Sequence, residues 1–188
     1  DNIVGFNSSS FSSLENVGNA SIYFVREGKT NKSITCRLKV KGDDLPAGGG
    51  TATGNQDYKS VNTGEVIFAS GSRFAVFNLT LYDDDDYESP DEFINLELEE
   101  CESGSTVDDS RKNSKLTIAD DGDAGTVQFS KAIFEVSEDQ AYATIVVTRL
   151  SKSSGVIQVD YKTETPTDSE TDSEDYVHSQ GSLIFGDG

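Results

Sequence analysis

Apolar and polar residues alternate in short runs through this chain, and no other feature constrains its fold as much. Ile34, Cys36, Leu38 and Val40 share one parity, as do Phe77, Leu79 and Leu81, then Ile94, Leu96 and Leu98, then Leu116 and Ile118. A period of two puts each set on one face of an extended strand; helical periodicity is scarce. Clusters of Gly, Asn, Asp and Ser separate the runs. The spacing predicts an all-β sandwich or barrel.

The chain also resembles itself. The stretch from Phe11-Ser12-Ser13-Leu14-Glu15 to Phe24-Val25-Arg26 matches that from Phe134-Glu135-Val136-Ser137-Glu138 to Val147-Thr148-Arg149. Gln56-Asp57-Tyr58 and Gly64-Glu65-Val66-Ile67-Phe68 match Glu174-Asp175-Tyr176 and Gly181-Ser182-Leu183-Ile184-Phe185. Nothing in the second copy corresponds to residues 73–119. We therefore expect a complete unit over residues 1–122 and the N-terminal half of a second over residues 123–188. Half a sandwich leaves a core face and strand edges uncovered. The missing strands are expected from a removed segment or from another molecule, which makes self-association through the second unit one outcome. The absence of Met and of a signal-peptide pattern reads as an excised piece of a longer protein.

The 188 residues include 34 Asp and Glu against 15 Lys and Arg, a formal net charge of −19. Nucleic acid is therefore not an expected partner, because phosphate-backbone affinity needs basic patches. Ten Phe and seven Tyr are more aromatic residues than an acidic disordered tail would carry. No apolar run approaches the roughly 18 residues of a membrane span. The acids cluster. The densest run, Asp83-Asp84-Asp85-Asp86-Tyr87-Glu88-Ser89-Pro90-Asp91-Glu92, falls between a strand predicted to end near Leu81 and one predicted to start near Phe93. Asp120-Asp121-Gly122-Asp123 follows a third strand, and Asp43-Asp44 a fourth. A solvated loop and a cation site both account for such runs. Among cations, Ca²⁺ suits flexible all-oxygen ligands, whereas Zn²⁺ would want His and Cys. The EF-hand spacing is absent.

Cys36 and Cys101 are the only cysteines. Cys36 shares parity with the apolar face and Cys101 with the polar face, so a bridge between them needs a strand end or bulge to break the register. The alternative is one buried and one exposed thiol. Asn7, Asn19, Asn31 and Asn78 each begin an N-x-Ser/Thr sequon, making them glycosylation candidates. Asn78 lies on the polar parity of its strand. These sequons favour an extracellular or cell-surface location.

The order of these pieces resembles the Calx-β domain. The matching features are Leu14-Glu15-Asn16-Val17-Gly18, Val25-Arg26, Gly50-Thr51-Ala52 with Gln56-Asp57-Tyr58, and Gly64 before Val66-Ile67-Phe68. They continue through Asp83-Asp84-Asp85, Glu88, Asp91-Glu92-Phe93 and Leu116-Thr117-Ile118 before Asp120-Asp121. Residues 3–120 look like one whole copy. The resemblance implies an immunoglobulin-like Greek-key sandwich of seven or so strands, in tandem with an incomplete second copy. It also implies Ca²⁺ at one loop end, held by Glu15, Asp57, Asp83, Asp84, Asp85, Glu88, Asp91, Asp120 and Asp121. Gly122 stands where members carry a third consecutive Asp, which leaves Asp123 or a water to fill that position. The second copy offers only Glu138 and Asp175, so it is expected to be metal-free. Its 164–175 stretch reads as a polar loop, and His178 as an exposed polar residue.

Two functions fit. One is a calcium-binding extracellular repeat of an adhesion, aggregation or matrix protein, with Ca²⁺ stiffening the loops and the junction between units. The alternative is a cytosolic calcium-sensor module like the regulatory domains of sodium–calcium exchangers. The partners expected in either case are Ca²⁺ and neighbouring repeats or other protein chains. Acids on exposed loops, without a nucleophile–base constellation, point away from an enzyme.

Overall fold

The computed structural model describes residues 2–42, 52–54, 56–61, 63–102, 104–165 and 176–188. Asp43-Asp44, Thr51, Asp175 and most of the polar 164–175 stretch lie outside the described residues. The chain divides into two compact units, Asp1–Asp84 with Glu88–Asp121, and Asp85–Tyr87 with Gly122–Gly188.

The first unit is an immunoglobulin-like sandwich. Its strands are β1 (Asn2–Phe6), β2 (Ser10–Leu14), β3 (Asn19–Glu27), β4 (Ile34–Lys41), β5 (Thr63–Phe68), β6 (Phe74–Thr80), β7 (Glu92–Cys101), β8 (Ser105–Val107) and β9 (Asn113–Ala119). One sheet runs β6-β3-β1-β8 and the other β2-β9-β7-β4-β5. Nine strands form among its described residues where seven or so are expected. The excess comes from the N-terminal segment, which splits between the sheets as β1 and β2, and from the three-residue β8. Both β1–β8 and β2–β9 pair in parallel; β2 forms an edge of its sheet, while β1 lies between β3 and β8 in the other.

The period-two pattern decides which side chains face inward. Ala20, Ile22, Phe24 and Arg26 of β3 are buried while their neighbours are outside. Ile34, Cys36, Leu38 and Val40 line β4 in the same way, and Ile94, Leu96 and Leu98 line β7. Each buried Leu, Ile, Val or Phe contributes about 1.5–3 kcal/mol relative to exposure. Gly64 is required by packing: a Cβ there would lie 2.5 Å from the Phe77 ring.

Cys36 and Cys101 are joined by a disulfide. Cys36 pairs with Cys101 but Leu38 pairs with Leu98, so two residues on β4 oppose three on β7. That extra residue is the bulge that turns Cys101 from the polar parity onto Cys36.

The second unit contains two separate antiparallel ladders. In one, β10 (Thr126–Phe129) pairs with β11 (Val147–Leu150); in the other, β12 (Ile157–Lys162) pairs with β13 (Gln180–Phe185). Phe134–Val136, the sequence counterpart of β2, is not a strand. In the first unit β2 is held by β9, and no strand among the described residues of the second unit corresponds to β9.

Candidate metal centre

Strand register gathers the carboxylates of the first unit at one end of the sandwich. Leu14 at the end of β2 pairs with Ala119 at the end of β9, and Ile118 pairs with Glu92 at the start of β7. Tyr58 bridges to Leu81 just past β6. Four segments therefore converge: the 3₁₀ turn Glu15–Val17, the turn carrying Asp57, the β6–β7 connection, and Asp120-Asp121.

Two triads form. Glu15, Asp83 and Asp121 each offer a carboxylate oxygen within 4.8 Å of the others, and so do Asp57, Glu88 and Glu92. Glu15 is buried at 3% exposure and accepts a 3.0 Å hydrogen bond from the Asp121 backbone N–H. Asn16 Nδ2 donates to Asp121 Oδ2 at 2.6 Å. The Glu88 N–H donates to Asp120 Oδ1 at 3.2 Å. Asp57 Oδ2 accepts from the Thr53 N–H, and the Tyr82 N–H donates to the Asp57 carbonyl at 2.9 Å. Backbone amides thus orient acids that would otherwise repel one another.

The electrostatic cost remains visible. Burial, helped by the charges of Asp57, Glu15, Asp84 and Asp120, raises the Glu88 carboxyl from 4.5 to about 7. Burial, a hydrogen bond with Asp57 and the charges of Asp57, Glu88 and Asp84 raise Glu92 to about 8. Glu92 Oε2 is buried and has no hydrogen-bond partner. An orphaned carboxylate oxygen inside an all-oxygen donor set fits a hard divalent cation such as Ca²⁺.

The expected ligands distribute unevenly. Glu15, Asp57, Asp83, Glu88 and Asp121 fall into the two triads. Asp84 and Asp120 are near enough to perturb Glu88, whereas Asp91 is exposed and in neither triad. Asp85 and Asp123 fall in the second unit, where both pair with Lys152; Asp85 is 3.6 Å from Lys152 Nζ. Glu92 was not expected as a ligand. It is the first residue of β7, and only the strand register shows that its side chain meets Asp57.

Asn7, Asn19, Asn31 and Asn78 are all exposed. Ser21 and Thr80, the hydroxyl residues of two sequons, donate to Asn78 Oδ1 at 2.9 Å and to Asn19 Oδ1 at 3.1 Å. In the second unit Glu138 is exposed. His178 is exposed too, its Nδ1 3.3 Å from Thr163 Oγ1.

Comparison with known proteins gives a consistent result. The family model of the Calx-beta domain matches residues 1–122 and 120–188. Sodium/calcium exchanger 1 of Bos taurus is 28% identical over 195 residues, covering 96% of this chain and 19% of the exchanger. Sodium/calcium exchanger Calx of Drosophila melanogaster is 27% identical over 172 residues, 92% of this chain and 17% of the exchanger. The chain thus spans less than a fifth of the length of these relatives. The crystal structure of calcium binding domain CBD12 of CALX1.1 has the same fold, with a TM-score of 0.58 and 24% identity over 98% of this chain and 70% of that one.

Proposed function

We propose, since this chain belongs to the Calx-beta domain family, that its first unit is a calcium-binding regulatory module of a larger sodium/calcium exchanger or a protein built like one. The observation that carries the reading is the meeting of two carboxylate triads at one end of the first unit. Glu15, Asp57, Asp83, Asp84, Glu88, Asp91, Asp120 and Asp121 are the ligand set from that unit. Bound Ca²⁺ would supply the positive charge that these residues lack. Without it their repulsion favours splayed loops; with that charge offset, the Asp57 turn, the β6–β7 connection and the Asp120-Asp121 segment are held together.

Asp120-Asp121 leads directly into the second unit in sequence, so order gained there restricts the junction that follows. Small-angle scattering with and without chelator tests this part; an unchanged distribution of interunit distances overturns it. The whole reading is tested by calcium titration of the thermal midpoint, with Asp84→Asn as control. Ligand binding to the folded state alone raises the midpoint by linkage. An equal response of wild type and Asp84→Asn overturns specific binding.

The exchanger relatives support the cytosolic module over the extracellular repeat. One observation favours the extracellular reading: the Cys36–Cys101 disulfide belongs more naturally to an oxidising compartment. Intact mass of the native protein separates the two. Glycan at Asn19 or Asn78 would establish the extracellular reading, and unmodified asparagines with reduced cysteines the cytosolic one.

A further inference from the structure

Asp57 is held in place by two buried residues of its own segment. Ala52 and Tyr58 are 0% and 2% exposed. The Ala52 N–H donates to the Phe93 carbonyl at 3.1 Å, and Tyr58 bridges to Leu81. Both also meet Gly42, the buried residue that follows β4. A Cβ at position 42 would stand 2.2 Å from Tyr58 Oη and 2.7 Å from the Ala52 carbonyl oxygen. Restoring ordinary contact would move the tyrosine by about 1 Å or more. Asp57, the residue before it, would move too, and the Ala52 carbonyl is backbone that cannot swing aside. In the second unit the same meeting is made differently. Thr165 lies four residues past Tyr161 as Gly42 lies four past Leu38, and Tyr176 matches Tyr58. There Thr165 Oγ1 and Tyr176 Oη share a 2.8 Å hydrogen bond. A side chain stands between strand end and tyrosine in the second unit; in the first the tyrosine presses on the glycine itself.

We propose that Gly42 is a positioning residue for the calcium centre: having no side chain, it lets Tyr58 seat the Asp57 turn so that the Asp57 carboxylate stands among the acids of that centre. This rests on the calcium-binding reading above and adds the residue that decides whether Asp57 is in place. Ca²⁺ holds its oxygens at about 2.3–2.6 Å, so a carboxylate displaced by about 1 Å no longer reaches the ion. The turn cannot make up the distance by bending, because the Tyr82 N–H holds the Asp57 carbonyl at 2.9 Å and the Asp57 N–H is held by the Thr53 carbonyl at 3.1 Å. Gly42 thus acts on the ion from the end of β4, through Tyr58, without contributing an oxygen from a side chain.

The test is a double-mutant cycle in the full chain, with wild type, Gly42→Ala, Asp57→Asn and the double variant titrated with calcium by calorimetry and melted in chelator. Gly42→Ala should weaken calcium binding about tenfold or more. On the Asp57→Asn background the same change should cost less than about twofold, because the carboxylate it misplaces is already gone. A lowered melting point with wild-type calcium affinity overturns the inference, since that is what a glycine needed only for packing would give. Equal weakening on both backgrounds also overturns it, because Gly42 would then act without Asp57. If Gly42→Ala does not fold, the wild type decides. Coupling is reciprocal, so bound calcium must stiffen the contact that positions its ligand. Flips of the Tyr58 ring, followed by NMR, should slow on calcium saturation; an unchanged flip rate overturns the inference. Failure of wild type to bind calcium would instead overturn the calcium-binding reading itself.

Discussion

The two units repeat the same hairpins and differ in what covers them. Val4 pairs with Arg26 and Phe6 with Phe24 in the first; Val127 pairs with Arg149 and Phe129 with Val147 in the second. Ile34 pairs with Phe68 as Ile157 does with Phe185, and Leu38 with Gly64 as Tyr161 does with Gly181. Yet Phe6 is 1% exposed and Phe129 62%. Every fully buried apolar side chain among the described residues lies between Val4 and Ile118. Strand pairing is therefore specified locally and repeats faithfully, while burial depends on β6, β7, β8 and β9, which have no counterpart among the described residues of the second unit. The acidic centre follows the same rule, because Glu88 and Glu92 arrive with β7, and Asp120 and Asp121 with β9.

The sharpest way to break this comparison is paired truncation. Phe6→Ala should destabilise the first unit by about 3–5 kcal/mol, the usual cost of a buried Phe. Phe129→Ala should stay within about 0.5 kcal/mol, as exposed substitutions do. Urea unfolding measures both, and equal costs would mean that the second unit has a core of its own. Next comes the disulfide. Val159 occupies on β12 the place of Cys36 on β4, so only the first unit is cross-linked among the described residues. Replacing Cys36 and Cys101 by Ser should cost about 2–4 kcal/mol, all of it in the transition that reports the first unit.

Calcium should sharpen the contrast further. At a free concentration about 100 times its dissociation constant, an ion adds about 2.7 kcal/mol, and hydrogen exchange should place that protection in β7, β9 and the Asp57 turn. Slowed exchange in β10 to β13 would contradict a metal-free second unit.

A further contrast comes from pH. Between about pH 4.5 and 8 the folded, calcium-free protein holds protons on Glu88 and Glu92 that the unfolded chain has released. Stability therefore falls as pH rises through that window. A melting series from pH 5.5 to 8.5 in chelator should show a declining midpoint. Saturating calcium should flatten or reverse the trend, since the ion binds carboxylates in their deprotonated form.

Much of this was legible in the amino-acid sequence. Alternation predicted the strands, the internal repeat predicted which segments recur, and the acid runs at strand ends marked the end of the sandwich where the carboxylates meet. All three are local properties, because a period of two and a turn residue act within a few positions of themselves. Two things needed the tertiary structure. Cys101 lies on the polar parity of its strand, and only the extra residue between Leu98 and Cys101 turns it toward Cys36. Glu92 reads as the tail of an acid run, and only the pairing of β7 with β9 sets it beside Asp57 with one oxygen buried and unpaired. The net charge of −19 was fixed by composition; which carboxylates share a site was decided by long-range register, which no local pattern encodes.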